Sequence, residues 1–456
     1  MDLQHIAKDV PDYDAYLTVD EMYSSTKKLK EEYPELVSVE IVGNTSQGDP
    51  IELINIGNGP LHAYWYGAPD PDETIGCMLI EYLTRRLCED EALRNELGYT
   101  WHFIKAIESD WLRLNEGWLK GPFTPMHYTR HLHRPWISER AEWTVPFEYK
   151  DFKFDKPLPE TEAHMHVIDK YQPDFLFRLH NSKFGGVWYA ISEICEPLYN
   201  SFHTIPGWFD IPLELGQTEN AKSDEVAPAI YYSQETFEDW YDRLEKEGKN
   251  PADMRNYGIS PGDYAKRKYG AFNLVSELPY WKARHIADQT PTDENYRELI
   301  LDRLGTEEDL EEWIAVVLTS LNDDLHQKTT TLTFLKAAAE GQRIGRAQRR
   351  ELVRTDQSFD RPATQAEVFG NRVTRSFKLG AQAAMLMRII ENEIENGNSH
   401  PDLPPIRDEA LEHLEQWGNS IENGLITVPI RDLVGLQLCV GLATAEYLRD
   451  NEKAKK

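Results

Sequence analysis

Three carboxylates, Asp70, Asp72 and Glu73, crowd into four positions of the stretch "YWYGAPDPDETIG". Two such charges about 5 Å apart repel by roughly 3 kcal/mol at an effective dielectric near 20. Two arrangements relieve that repulsion. Asp-x-x-Glu at a helix start forms a capping box, and acids there complement the helix dipole. Alternatively, Asp70 and Glu73 hold a divalent cation, since zinc accepts carboxylate oxygen as well as imidazole nitrogen. Two further segments carry candidate chemistry. In "YQPDFLFRLHNSKFGG", His180 ends a β-like run ahead of a glycine-rich loop, where α/β proteins commonly bind ligands. A purely structural histidine is the plainer reading of it. In "KYGAFNLVSELPYW", Glu277 lies among aromatic residues, and partial desolvation there would raise its pKa toward that of a general base. An exposed charge at a strand end is the alternative.

The elements around these residues alternate. "VDEMYSSTKKLKEEYP" reads as a helix starting near Val19 or Asp20 and ending before Pro34. "LVSVEIVG", "PIELINIG" and "LHAYWYG" read as strands bounded by glycine, the first two joined by the turn-like "NTSQGD". After them, "TIGCMLIEYLTRRLCEDEALRNEL" places Ile75, Leu79, Tyr82 and Leu83 on one helical face. "YTWHFIKAI", "DFLFRLHN", "VWYAIS" and "AFNLVSELPYW" supply more β-like runs. This alternation predicts an α/β domain over 1–290, a mixed sheet flanked by helices. From about Thr292 the sequence turns helical, as in "TEEDLEEWIAVVLTSLNDDL", "QAEVFGNRVTRSFKLGAQAAMLMRIIENEIENG", "RDEALEHLEQWGNSIENG" and "RDLVGLQLCVGLATAEYLRDNEK". An α-helical C-terminal domain over 291–456 is therefore expected, with the boundary in "ARHIADQTPTDEN" and a face of Leu379, Ala383, Leu386, Ile390 and Ile394 as core. That region offers a lid, a buttress or a surface for a homo-oligomer.

Bulk properties narrow the class. A net charge of −29 on 456 residues argues against binding a nucleic-acid backbone. The apolar run "VGLQLCVGLATA" is too short to span a bilayer and is broken by Gln437. No basic segment followed by an apolar stretch opens the chain, and Cys77, Cys88, Cys195 and Cys439 show no paired spacing, so a cytoplasmic protein with reduced thiols is expected.

The order of these motifs resembles the zinc carboxypeptidases, the carboxypeptidase A-like metallopeptidases, from about Tyr16 to Trp281. "VGNTSQGDPIELINIGNG" resembles the opening hairpin of that family, and "GAPDPDETIG" its glycine, His-x-x-Glu and helix. "SDWLRLNEGW" is similar to the segment carrying an Arg-x-Asn, "PLPETEA" to a Pro-Glu-Thr helix start, and "FRLHN" to the site of the second zinc histidine. "NYGISPGDYAKRKYGAFNLVSELP" is similar to the closing segment with its tyrosine and glutamate.

The resemblance implies roles residue by residue. Glu73 and His180 fall on metal ligands and Glu277 on the general base. Asp70 stands where the family has its first histidine, so the implied site is Asp-Glu-His. Arg113 is the implied oxyanion stabiliser, with Asn115 beside it on the substrate side. Arg130 or Arg134 is implied to grip a substrate carboxylate, and Tyr257, or else Tyr264, to cap the substrate. Two carboxylates around one zinc make a weaker Lewis acid and admit harder ions such as manganese. His127, His131 and His133 could form a second metal site, but the arginines among them favour an anion-binding or structural role.

The expected function is then a metal-dependent hydrolase cutting a peptide or amide bond next to a free carboxylate. One alternative is an acyl-amino-acid amidohydrolase of the succinylglutamate desuccinylase and aspartoacylase type. Another is a catalytically inactive carboxypeptidase-like protein that binds peptides or carboxylates without a metal.

Overall fold

The computed structural model describes residues 1–216, 224–232, 236–321, 324–327, 329–421 and 424–455. Eleven described strands form one mixed sheet: β1 (Val37–Asn44), β2 (Pro50–Ile56), β3 (Leu61–Tyr66), β4 (Tyr99–Ile104), β5 (Phe175–Arg178), β6 (Asn181–Gly185), β7 (Trp188–Ile191), β8 (Asp224–Ala227), β9 (Ile230–Tyr232), β10 (Phe272–Lys282) and β11 (Ile426–Thr427). The order along the sheet is β1-β2-β4-β3-β5-β10-β7-β9-β8, with β6 and β11 also paired to β10. The centre, β4-β3-β5-β10, is parallel, and the β1-β2 hairpin and β7 join it antiparallel. Strand β10 changes partner along its length. Phe272–Val275 pair with β5, and Leu278–Lys282 pair with β6. Glu277 lies between these two registers, opposite Trp188 of β7.

The helices used below are α1 (Val19–Glu32), α2 (Ile75–Glu89), α3 (Ser109–Asn115), α4 (Pro125–His131), α5 (Pro159–Tyr171), α6 (Tyr296–Ser320), α7 (Thr330–Thr355), α8 (Phe377–Glu395), α9 (Leu403–Ile421) and α10 (Ile430–Lys455). Thr18 caps α1 in a reciprocal box with Glu21, which starts the helix at Val19. The four expected C-terminal helical segments are helical here. Residues 322–323 and 422–423, at the ends of two of them, lie outside the described residues.

One apolar core runs through both halves of the chain. Trp65, Trp101, Phe103, Phe175 and Phe177 stack edge-to-face and in parallel along one side of the sheet. Helix α10 lies on them: a Cβ on Gly441 would come within 2.4 Å of the Trp65 ring. Tyr99 donates its hydroxyl to the Ala445 carbonyl at 2.9 Å. The packing thus carries the last helix back onto the sheet, and Ile426–Thr427 pair with its strand β10. The run "VGLQLCVGLATA" is apolar because it is buried there, and among the described residues no helix is long and apolar enough to cross a membrane.

Candidate metal centre

The Asp70–Glu73 turn follows β3 and precedes α2, and it does not form the capping box that its spacing permits. Thr74 is the N-cap residue and makes no side-chain cap. The helix donors are instead met from other strands. The Tyr280 hydroxyl accepts from the Thr74 N–H at 2.9 Å, and Asn181 Oδ1 accepts from the Ile75 N–H at 3.1 Å. The carboxylates of Asp70 and Glu73 are thereby free to face the strand ends. Gly76 allows the approach, since a Cβ there would sit 2.4 Å from Leu179 Cβ, one residue before His180.

Asp70, Glu73 and His180 offer ligand atoms all within 4.8 Å of one another, the one such group among the described residues. His180 Nδ1 is 2.8 Å from Glu73 Oε2, which also accepts the Asn181 N–H at 3.0 Å. Glu277 Oε1 is 3.9 Å from His180 Nδ1, and Glu142 Oε2 is 3.6 Å from His180 Nε2. Behind the histidine, Gln437 of α10 donates to the His180 carbonyl and to Ser276 Oγ, both at 3.1 Å. Residues more than 250 positions apart thus hold the same loop.

Cations surround this cluster. Arg134 bonds Asp70 and lies 3.9 Å from Glu73 and 4.0 Å from Asp72. Arg140 donates to the other Asp70 oxygen at 3.0 Å. Lys183 Nζ lies 2.8 Å from Asp72 Oδ2 and 2.9 Å from Glu73 Oε1. Arg178 donates to Glu142 at 2.7 Å, and Tyr66 donates to the same carboxylate. Burial alone would raise the Asp70 carboxyl, but Arg134 and Arg140, with His180 and Lys183, outweigh it and hold it well below the usual carboxylate range. Burial opposes ionisation of Asp72 and Glu142 too. Lys183 and Arg134 overcome it for Asp72, Arg178 and His180 for Glu142, and both pKa values are lowered. Burial would strip the His180 proton, yet Glu73 and Glu142 keep it on and raise its pKa well above the ordinary value. Glu277 goes the other way. Burial, then the Glu73 charge, push it up to about 8 against the pull of His180 and Lys183.

The donors suit a divalent ion in type and span. A further oxygen is uncommitted: Asp72 Oδ1 is buried with no hydrogen-bond partner among the described residues, Arg134 being its neighbour at 4.0 Å. An ion there would compete for these carboxylates with Lys183 and Arg134.

The other expected residues lie elsewhere. Arg113, on α3, donates to Asp49 at 2.8 Å and Asp20 at 2.9 Å, partners on β1-β2 turn and α1 rather than at the cluster. Asn115 is buried and joins Trp111 and His133 backbone groups, a structural role. Arg130 points outward to Glu391 of α8 at 3.2 Å. Tyr257 packs beside Trp143 and under Arg255, and Tyr264 bonds Asp169 at 2.9 Å, partners that lie outside the cluster. His127, His131 and His133 each hydrogen-bond a backbone carbonyl. Of the arginines proposed for a substrate carboxylate, Arg134 alone reaches the cluster. Glu142, Arg140, Arg178 and Lys183 escaped the sequence reading. Only Arg178 carried a signal, since it alternates with His180 and a strand turns alternate residues to one side.

No protein-family model matches the sequence, and no curated protein does. Solved structures similar in fold include a metallo-carboxypeptidase from Burkholderia cenocepacia, at 14% identity over 61% of this chain and 63% of that one, with a TM-score of 0.36. The carboxypeptidase A of Helicoverpa armigera is 14% identical over 61% of this chain and 69% of its own, with a TM-score of 0.35. The murein-tripeptide amidase MpaA of Escherichia coli O157 is 16% identical over 53% and 83%, with a TM-score of 0.24. The match thus spans less than two thirds of the first of these relatives.

Proposed function

We propose that this chain is a carboxypeptidase-like, metal-dependent hydrolase that cleaves a peptide or N-acyl bond next to a free carboxylate. The observation that carries the reading is the convergence of Asp70, Glu73 and His180 with Glu277 beside them. Asp70, Glu73 and His180 would hold one divalent ion, zinc or, given two hard oxygen donors, manganese. When bound, that ion supplies Lewis acidity toward the amide carbonyl and toward water.

The chain's own residues do the rest. Glu277 takes a proton from the attacking water on its carboxylate and hands it to the leaving amine. Burial raises its proton affinity, which strengthens it as a proton acceptor. Arg134 is the most exposed of the cluster's cations at 23% of its side chain, and its fork of donors matches a substrate carboxylate.

A second reading has its own observation. Every acid of the Asp70–Glu73 turn already has a cationic partner from the chain itself. This favours a carboxypeptidase-like protein that binds carboxylate ligands without a metal. Elemental analysis of the purified protein after incubation with zinc or manganese separates the two, paired with turnover of peptides against N-acyl amino acids. The hydrolase reading expects bound metal that is lost in Asp70→Ala, and cleavage of one substrate class. Preference for N-acyl amino acids would mark an amidohydrolase of the desuccinylase type. Protein that takes up neither ion and turns over nothing is the binding form.

A further inference from the structure

Lys183 has no part in the chemistry proposed above, yet it occupies the centre of the acid cluster. Its ammonium lies between Asp72 Oδ2 at 2.8 Å and Glu73 Oε1 at 2.9 Å, with the Asn181 carbonyl at 3.5 Å. Its side chain is 10% exposed, so the head is seated inside the cluster rather than bent over it from solvent. Asp72 is fully buried and holds this lysine and the Tyr128 hydroxyl, the latter at 2.5 Å, on a single oxygen, while its other oxygen is left without a hydrogen bond.

We propose that Lys183 is a tethered occupant of the cation position and that it sets how tightly the Asp70, Glu73 and His180 group takes a divalent ion. The inference deepens the metal-dependent reading and rests on it for the identity of the ligand set. A carboxylate bridges two cations only when both tolerate each other's charge, and a buried ammonium beside Glu73 repels an ion arriving on the same group. Uptake of the ion therefore requires the lysine head to leave Glu73. Its partial exposure gives it a way toward solvent, where an ammonium is readily hydrated. The lysine also explains how Asp72 and Glu73 are kept together when no ion is bound, as Arg134 does for Asp70 and Arg178 for Glu142.

The test measures the affinity of the full chain for zinc and manganese salts by isothermal titration calorimetry, with thermal melts at fixed metal as a second readout. Lys183→Met keeps the length of the side chain and removes the charge. It is expected to tighten the dissociation constant by about tenfold or more, and to enlarge the metal-induced rise in melting temperature accordingly. Lys183→Arg keeps the charge and is expected to stay within about threefold of the parent. Should Lys183→Met fail to fold, Asp72→Asn/Lys183→Met removes one charge of each sign and is compared with Asp72→Asn alone, with the same tightening expected. The proposal is overturned if the neutral variants bind metal no more tightly than their references, if none of the proteins binds metal, or if Lys183→Arg gains as much as Lys183→Met. The functional reading fails differently: proteins that bind metal and cleave nothing would sink the hydrolase while leaving the ratio of affinities intact.

Discussion

Two of the buried charge clusters among the described residues are built on different plans. The one in the helical half lies along α6. Glu307 and Glu311, both buried, meet Arg303, Arg346 and Lys378, with Lys378 2.9 Å from Glu311 and 3.3 Å from Glu307. Arg303, Glu307 and Glu311 follow one another at four-residue steps, so one helical face presents them together. Cations outnumber acids there, and no histidine takes part. The cluster at the strand ends draws on turns and strands far apart in the chain. It has an imidazole, more carboxylates, an orphan carboxylate oxygen and one acid whose proton affinity is raised. Burial of charge is thus no mark of function by itself. What distinguishes the second cluster is an imidazole set among acids whose proton affinities are shifted in opposite directions.

Isosteric amidation of one acid in each cluster tests that distinction most severely. Glu277→Gln is expected to lower turnover by about 10²–10⁴-fold while leaving the protein folded, because it removes a proton acceptor whose cationic neighbour His180, 3.9 Å away, keeps Glu73 and Glu142. Glu311→Gln is expected to leave turnover alone and to cost roughly 1–3 kcal/mol in urea-induced unfolding, since it weakens the hold on Arg346 and Lys378. Equal losses of turnover in both would erase the contrast. Asp70→Ala is expected to combine the two effects. It strands Arg134 and Arg140, at a cost of roughly 3–5 kcal/mol in the same unfolding measurement, and it abolishes metal uptake.

Much of this arrangement was legible beforehand, and the residues that were not share a reason. Asp70 and Glu73 stood out as crowded acids, His180 as a histidine at a strand end and Glu277 as an acid among aromatics, and the resemblance to the carboxypeptidases implied their joint role. Glu142 lies in a short turn of helix and Arg140 at the bend before it, where no repeat constrains the direction of a side chain. Lys183 follows the histidine in a stretch that reads as a glycine-rich loop but forms β6 against β10. The same limit explains the arginine on α3. Its spacing to Asn115 fixed a motif, but which side of a short helix faces the sheet depends on packing against α1 and the β1-β2 turn. The return of α10 to the sheet was hidden for another reason: a helix apolar on all sides shows that it is buried, and not against what.

Histidines sharpen the comparison through the pH dependence of stability. His180 keeps its proton between two glutamates, whereas His102, buried on β4 beside His62 and Asn55, is pushed down to about 3 by burial and then by His62. As the pH falls below 6.5, the unfolded chain takes up a proton at position 102 that the folded chain refuses until about pH 3. Stability therefore drops with falling pH over that window, by up to about 1.4 kcal/mol per pH unit for this one group. His102→Gln should flatten the fall in urea midpoint between pH 6.5 and 5, and an unchanged slope would show that the imidazole is solvated in the folded state.

The smallest effect is the most informative about where the functional cluster ends. Arg113 is about one-third exposed and bonded to Asp20 and Asp49, so it belongs to the class of surface ion pairs worth roughly 0.2–1 kcal/mol. Asp20 and Asp49 would regain water on its removal, and no buried charge would be left alone. Arg113→Ala should accordingly shift the unfolding midpoint slightly, lose that shift in high salt as the parent pair is screened, and leave kcat and KM for the best substrate unchanged. The motif that suggested an oxyanion role makes the opposite demand, a loss in kcat of about two orders of magnitude for a missing oxyanion donor. A loss of that size would mean that α3 turns its arginine inward when substrate arrives, and that the boundary drawn around the cluster is too tight.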